Sequence, residues 1–163
     1  MLKLTLRAAA AAAFAAFALP APAHEFKSGS IEIDHPWSRA TPSGARVAGG
    51  YLVIRNGGDA PDRLIGAKAD VAGRVEIHEM TVKDGVMTMR PLPEGVEAPA
   101  HGEVALKPGG LHLMLHELKR PLAQGETFAG ALTFEKAGEI KVEFVVEALG
   151  ARGPEAKAGE HAH

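Results

Sequence analysis

The chain has 163 residues, a formal net charge of −2 and no cysteine. Its length fits one domain with a hydrophobic core, and the slightly negative charge excludes a bulk electrostatic role in binding nucleic acid. Without cysteine the chain can form no disulfide and no thiolate-bound blue-copper site. A serine hydrolase is also unsupported, because none of its serines lies in a Gly-x-Ser-x-Gly motif.

The first segment has the pattern of an export signal. Lys3 and Arg7 precede an apolar run from Ala8 to Leu19, and small residues follow at Ala21-Pro22-Ala23. This pattern predicts a signal peptide over residues 1–23, cleaved before His24. The apolar run is shorter than the ~20 residues that a spanning helix needs. We therefore expect a periplasmic protein with no membrane span after cleavage.

The central segment, residues 24–149, predicts an all-β fold of one domain. Turn dipeptides such as Asn56-Gly57, Asp84-Gly85 and Gly109-Gly110 separate short apolar runs, as in an antiparallel sandwich or barrel. The alternative is an α+β fold with a helix near Pro61–Ala72, which internal glycines disfavour. The predicted strands are Ser30–Asp34, Ala48–Asn56, Arg63–Ala69, Arg74–Thr81, Val86–Met89, Glu103–Leu106, Leu111–His116, Thr127–Phe134 and Ile140–Val146.

The last segment, residues 150–163, lacks an apolar pattern. It is small, charged and contains Gly and Pro, so we predict a disordered tail. His161 and His163 lie within it. These two histidines form a possible secondary site for Cu(II), and the alternative is a merely solubilising tail.

The strand Leu111–His116 alternates strictly between leucine and polar or sulfur-bearing residues. Successive side chains of a strand point to opposite faces, so His112, Met114 and His116 share one face. Thioether sulfur is a soft donor that favours Cu(I). His116 lies ~13 Å along the strand from His112, so we interpret it as a rim residue rather than a ligand.

The segment from Arg74 to Met89 has the pattern of a hairpin that turns at Asp84-Gly85. With a two-residue loop, Met80 faces Met89, and His78 lies on the same face, diagonal to Met89. A three-residue loop would reverse this parity. Met80 is a secondary candidate ligand, with packing as its alternative role.

Together the two segments supply two imidazoles and two thioethers. His78, Met89, His112 and Met114 would form a four-donor site in which every donor is neutral. Packing and hydrogen bonding are the alternative roles of such residues, but a second His–Met pair on a separate strand favours a Cu(I) site.

The chain resembles the periplasmic PCu(A)C copper chaperones, whose signature is His, ten residues, Met, about twenty-one residues and His-x-Met. Here ten residues separate His78 from Met89, and twenty-two separate Met89 from His112-Leu113-Met114. The extra residue falls in a loop-rich stretch where insertion costs little. Further matching words are Trp37-Ser38-Arg39-Ala40, Gly50-Tyr51-Leu52, Asp62-Arg63-Leu64-Ile65, Met89-Arg90-Pro91 and Leu106-Lys107-Pro108-Gly109-Gly110-Leu111-His112.

This resemblance implies a cupredoxin-like β-sandwich that binds Cu(I) through residues 78, 89, 112 and 114. It also implies delivery of copper toward the CuA centre of cytochrome c oxidase. The expected partner is subunit II of that oxidase, or another copper acceptor or donor protein. We expect a monomer that is not an enzyme.

Several other functions remain open at this level. General copper scavenging or storage would use the same donors, and terminal histidines could bind Cu(II) instead. A copper monooxygenase is the enzyme-class alternative, because cleavage before His24 would expose an α-amine beside an imidazole. A zinc or nickel carrier would leave Met89 and Met114 without a role, and a purely structural sandwich would bind no metal.

Overall fold

The computed structural model describes residues 25–154, and every regular element in that range is a β-strand. The all-β prediction is therefore confirmed. The strands are β1 (Glu25–Ser28), β2 (Ile31–Arg39), β3 (Val47–Asn56), β4 (Asp62–Ala69), β5 (Arg74–Lys83), β6 (Val86–Pro91), β7 (Val96–Ala98), β8 (Gly102–Leu106), β9 (Leu111–His116), β10 (Thr127–Phe134) and β11 (Gly138–Glu147).

All nine predicted strands are present, and two short ones, β1 and β7, were missed. The alternative helix near Pro61–Ala72 is wrong. Most of that stretch is β4, whose two edges pair with β7 and β10. Leu64 in its middle is fully buried. Tertiary pairing thus decides the conformation of a segment whose local preference is weak.

The strands form one hydrogen-bonded sheet in the order β6-β5-β9-β3-β2-β11-β10-β4-β7, with β1 added to β2 and β8 added to β3. All pairings are antiparallel except that of β11 with β2. The sheet folds over, because the end strand β7 lies near β3 and β8 in its middle. Its apolar faces thereby enclose the core.

The core determines which face of β5 and β9 remains for other roles. Leu113 and Leu115 of β9 and Ile77 of β5 are buried in the apolar cluster. Residues alternate between faces along a strand, so their neighbours His78 and His112 lie on the opposite face. That opposite face carries the predicted donors.

The two ends of the chain extend beyond the described part. The predicted signal peptide (residues 1–23), His24, His161 and His163 all lie outside the described residues. Residues 148–154, which follow β11, are irregular, and the carbonyl of Ala151 accepts a hydrogen bond from Arg39 Nε at 2.6 Å. A search of residues 25–154 for a helix long and apolar enough to cross a membrane finds none.

Candidate metal centre

The pairing of β5 with β9 brings two of the predicted ligands together. His78 lies directly opposite His112 in this antiparallel register. Their ring centroids are 5.8 Å apart, and the two residues are only 8% and 5% exposed. Residues distant in sequence thus form one buried pair of imidazoles.

The hairpin of β5 and β6 has the predicted two-residue turn. Asp84 and Gly85 both have positive φ, 52° and 76°, as a type I′ turn requires. Lys83 then pairs with Val86, and Met80 pairs with Met89. The predicted register is confirmed, so Met89 lies on the same face as His78 and diagonal to it.

The far half of this hairpin extends beyond the neighbouring strand. The pairing of β5 with β9 ends at Glu79, whereas its pairing with β6 continues to Lys83. We call residues 80–89 the hairpin arm. Met89 on the arm is 42% exposed, and Met87 nearer the tip is 65% exposed. One predicted sulfur donor therefore lies at the surface.

The two predicted sulfur donors lie on opposite sides of the histidine pair. Met114 is half-buried and lies opposite Glu76 on β5, whereas Met89 lies opposite Met80 on the arm. All four predicted donors share one face of β6, β5 and β9. Convergence on one ion requires both thioethers to lean inward, which their three rotatable side-chain bonds permit.

Hydrogen bonds determine which nitrogen of each ring is available. His78 Nε2 lies 2.8 Å from Glu76 Oε2, and His78 Nδ1 is buried without a hydrogen-bond partner. His112 Nδ1 lies 3.0 Å from the carbonyl oxygen of Gly110. A carbonyl can only accept, and an ionised carboxylate can only accept, so both rings donate there. The lone pairs are left on His78 Nδ1 and His112 Nε2.

This arrangement is typical of metal-binding histidines. In such histidines one ring nitrogen donates to a carboxylate or carbonyl oxygen, which fixes the tautomer and orientation of the ring, and the other nitrogen binds the ion. In His78 that opposite nitrogen is shielded from water and has no protein partner. An unpaired buried polar atom is costly, so a ligand at this position would remove an unfavourable feature.

Sequence reasoning missed Glu76 and its contact with His116. His116 Nε2 lies 3.1 Å from Glu76 Oε2, and the rings of His116 and His78 are 6.0 Å apart. The ~13 Å separation of His116 from His112 runs along β9, whereas Glu76 reaches His116 from the neighbouring strand β5. The available signal was that Glu76 precedes His78 by two residues and so shares its face.

The electrostatics of Glu76 follow from these contacts. The hydrogen bond with His78 lowers the pKa of this carboxyl; partial burial opposes that effect, and the positive charge of Arg74 adds to it. The net pKa lies below the usual range of glutamate, so Glu76 is ionised at neutral pH and acts as an acceptor.

An aromatic pair adjoins the centre on the same face. Tyr51 and Trp37 pair across β3 and β2, with ring centroids 4.6 Å apart, and both are buried. The Tyr51 hydroxyl lies over Gly49, where a Cβ atom would be 2.4 Å away from it. Gly49 is in turn the cross-strand partner of Met114. The aromatic pair therefore borders the predicted sulfur ligand.

His101 has a different environment from the histidines of β5 and β9. His101 lies at a turn, its side chain is 63% exposed, and its Nε2 lies 2.7 Å from Asp59 Oδ1. It is an ordinary solvent-exposed pair of an imidazole and a carboxylate.

Comparison with known proteins identifies similar sequences and folds. Residues 31–146 match the sequence model of a family described as LpqE-like, a lipoprotein family. A protein of Leifsonia xyli subsp. xyli that is described as a lipoprotein is 33% identical over 104 residues, which cover 64% of this chain. The aligned part spans 61% of the length of that relative.

Solved structures of PCuAC domains have the same fold. The copper-bound PCuAC domain from PmoF2 is 34% identical, with a TM-score of 0.66, over 77% of this chain and 98% of that domain. The apo PCuAC domain from PmoF1 is 32% identical, with a TM-score of 0.65, over 77% and 99%. The Cu(I) form of DR1885 from Deinococcus radiodurans is 28% identical, with a TM-score of 0.58, over 82% and 83%.

Proposed function

The chain belongs to the LpqE-like, or PCuAC, family, and from this premise we propose that it is an exported Cu(I) chaperone whose site consists of His78, Met89, His112 and Met114. A copper-chaperone role is supported by the copper-bound and Cu(I) structures of its relatives. The choice of these four ligands, the Cu(I) state and the route of delivery are the finer parts of this proposal.

The observation that carries the proposal is the state of the two buried rings. Each has one nitrogen held by an acceptor, and the free Nδ1 of His78 is buried without a partner. Two neutral imidazoles and two neutral thioethers leave a bound Cu(I) with its single positive charge. Soft sulfur donors select Cu(I) over Zn²⁺ or Mg²⁺.

The exposed hairpin arm supplies a route for release. Met89 is 42% exposed, whereas both histidines are nearly buried. A neutral thioether holds Cu(I) without the charge attraction that a thiolate provides. An incoming thiolate of an acceptor protein can therefore displace Met89 first and the buried imidazoles last.

The compartment and partner follow from the same reasoning. The signal pattern of residues 1–23 and the lipoprotein-type relatives support export, and we place the protein in the periplasm. The acceptor is the CuA-bearing subunit II of cytochrome c oxidase or another copper protein. The chaperone acts as a monomer, without catalysis of its own.

The test is an anaerobic Cu(I) titration of the mature chain, followed by X-ray absorption at the copper edge. One equivalent of Cu(I) with two sulfur and two nitrogen or oxygen neighbours is the expected result. A spectrum with nitrogen or oxygen neighbours alone would exclude Met89 and Met114 as ligands and would be the result expected of copper on terminal histidines such as His161 and His163. Transfer to an apo-CuA acceptor then distinguishes delivery from storage, since a storage protein retains its copper.

A further inference from the structure

A group of donor atoms without sulfur lies beside the proposed Cu(I) ligands, and it comes from Glu76, His78 and His116. One oxygen, Glu76 Oε2, lies 2.8 Å from His78 Nε2 and 3.1 Å from His116 Nε2. Each of the three residues offers a donor atom within 4.8 Å of the other two. Glu76 and His78 come from β5 and His116 from β9, so paired strands fix their spacing.

The chemistry of this group differs from that of the His and Met donors. It contains two imidazole nitrogens, one carboxylate and no sulfur. Nitrogen and oxygen donors suit borderline divalent ions such as Zn²⁺ and Cu²⁺. Two histidines with one glutamate form a known three-ligand zinc arrangement, in which a fourth position stays open.

The spacing is suitable after small movements. Ligands at ~2.0–2.1 Å from a zinc ion lie about 3–4 Å apart, so an ion fits once the carboxylate withdraws slightly. The side chain of Glu76 is 39% exposed and has room to move. Arg74 Nε lies 3.3 Å from the other oxygen, Oε1, so Oε2 is the one left for the rings.

An exposed groove provides access and a fourth ligand. It runs beside His116, whose side chain is 19% exposed. The groove is lined by Arg46, Val47, Arg74, His116, Glu117 and Leu118. Water or a small anion can therefore reach an ion held by the three residues.

We propose that Glu76, His78 and His116 form a second metal site, for a divalent ion of the Zn²⁺ or Cu²⁺ type. The ion binds Nε2 of both histidines and Oε2 of Glu76. It replaces the two hydrogen bonds that Glu76 Oε2 accepts from His78 and His116.

The two sites compete for one ring. A neutral imidazole has a single lone pair, and the proposed Cu(I) site uses that pair on Nδ1 of His78. A divalent ion takes it on Nε2 instead: the Nε2 proton of His78 leaves to solvent, and Nδ1 takes one up. The same exchange takes place at His116, whose Nε2 also donates to Glu76 Oε2. A buried Nδ1–H without an acceptor is costly, so the divalent site is weak and exchangeable. Zinc at the second site lowers the affinity of the chain for Cu(I), and the reverse holds equally.

Zinc competition against a chromophoric chelator tests the proposal, with the full mature chain as the protein and Zn²⁺ as the probe. We expect His116→Gln and Glu76→Gln each to weaken Zn²⁺ binding at least about tenfold. His101→Gln is the matched control, because His101 also pairs with a carboxylate but has no second histidine described beside it. It should bind Zn²⁺ like the unmodified chain.

Two outcomes overturn the proposal. One is Zn²⁺ affinity unchanged in His116→Gln, which would show that zinc binds elsewhere on the chain. The other is failure of the unmodified chain to compete for Zn²⁺ at all. Thermal unfolding followed by circular dichroism shows whether each variant is folded, and Glu76→Asp, which keeps the charge, supplies a second variant.

The same variants separate this proposal from the copper proposal. Met114→Leu should lose Cu(I) affinity and keep Zn²⁺ affinity, whereas His116→Gln should do the reverse. If the chain binds no Cu(I) and its zinc still depends on His116, the copper proposal fails and the second site stands. If His116→Gln leaves the Zn²⁺ affinity unchanged while Met114→Leu lowers the Cu(I) affinity, only the proposal of a second site fails.

Discussion

His78 and His112 face each other across β5 and β9 with ring centroids 5.8 Å apart, and an acceptor holds one nitrogen of each ring. Neither strand alone creates this pair. Its consequence is a preorganised two-nitrogen centre in a buried part of the sheet, to which thioethers on either side add soft donors.

Replacement of the Met114 sulfur should affect copper far more than stability. Met114→Leu conserves side-chain volume, so the free energy of unfolding should change by less than about 1.5 kcal/mol. Cu(I) affinity should fall at least about tenfold, because a soft donor is lost. A competition titration against a chromophoric Cu(I) chelator measures the Cu(I) affinity, and urea unfolding of the apo protein measures the free energy of unfolding.

Met87→Leu is the control for this change. Met87 is 65% exposed near the tip of the hairpin arm and lies opposite Val82. Its replacement should leave Cu(I) affinity unchanged. Equal Cu(I) affinity in Met114→Leu and the unmodified chain would remove Met114 from the site.

The hairpin arm offers two directly opposed thioethers, Met80 and Met89, and a pair of variants should tell them apart. Met89→Leu should weaken Cu(I) binding, because Met89 lies diagonal to His78 and has the family spacing. Met80→Leu should have little effect. The count of sulfur neighbours by X-ray absorption gives the answer, and a larger loss in Met80→Leu would exchange the two assignments.

Asp62 should make stability depend on pH in the acidic range. Burial raises the pKa of its carboxyl, but hydrogen bonds from the N–H groups of Lys136, Arg63 and Ala137 lower it more, and the net pKa lies below the ordinary value. A folded-state pKa below the unfolded one contributes stability above the unfolded pKa of ~3.9. That stability is lost as pH falls through the folded pKa.

Asp62→Asn should therefore destabilise the protein by about 1–3 kcal/mol at pH 7, because its amide group cannot accept the hydrogen bond from Ala137. The difference from the unmodified chain should shrink as pH falls below about 4. Urea unfolding at pH 7, 5 and 3 measures it. Asp84→Asn is the control, since asparagine is equally suited to the turn between β5 and β6. A loss of stability in Asp62→Asn that has the same size at every pH would contradict the prediction.

A side chain at Gly49 should destabilise the protein. The Cβ of Gly49→Ala would lie 2.4 Å from the Tyr51 hydroxyl, and the Tyr51 ring is buried against Trp37. Displacement of that ring should cost about 1–3 kcal/mol of unfolding free energy. Trp37 is the only tryptophan, so its fluorescence should report the movement.

Gly66→Ala is the matched control on another strand. A Cβ at that position meets only the Cβ of Thr133, at 3.9 Å, which is an ordinary contact. Since glycine weakens a strand relative to alanine, this variant should be neutral or slightly more stable. Equal losses in the two variants would show that the Tyr51 contact is not the cause.

Sequence patterns predicted the parts of the fold that depend on local order. Alternation located nine strands, and the turn dipeptide Asp84-Gly85 set the register that pairs Met80 with Met89. β1 and β7 have four and three residues. Strands so short contain too little alternation to be distinguished from loops.

The part of the centre that was missed depends on non-local pairing. Glu76 lies opposite Met114, and its carboxylate reaches His116 only because β5 and β9 are neighbours. The sequence of either strand alone does not specify that β5 and β9 are neighbours, because the alternation of side chains assigns each residue to a face of the sheet but does not identify the partner strand. The spacing of His78 and His112 was enough to group them, whereas the position of the Glu76 carboxylate between His78 and His116 could be predicted only from the order of strands in the sheet.

The hairpin arm has a consequence for how firmly the centre holds its cargo. Beyond Met80 the arm is a two-stranded ribbon in the described structure, and such a ribbon is marginally stable by itself. Its amide hydrogens should exchange with solvent faster than those of the strands that carry His78 and His112. A bound ion tethered to Met89 would slow that exchange, and transfer of the metal to an acceptor would restore the motion of the ribbon.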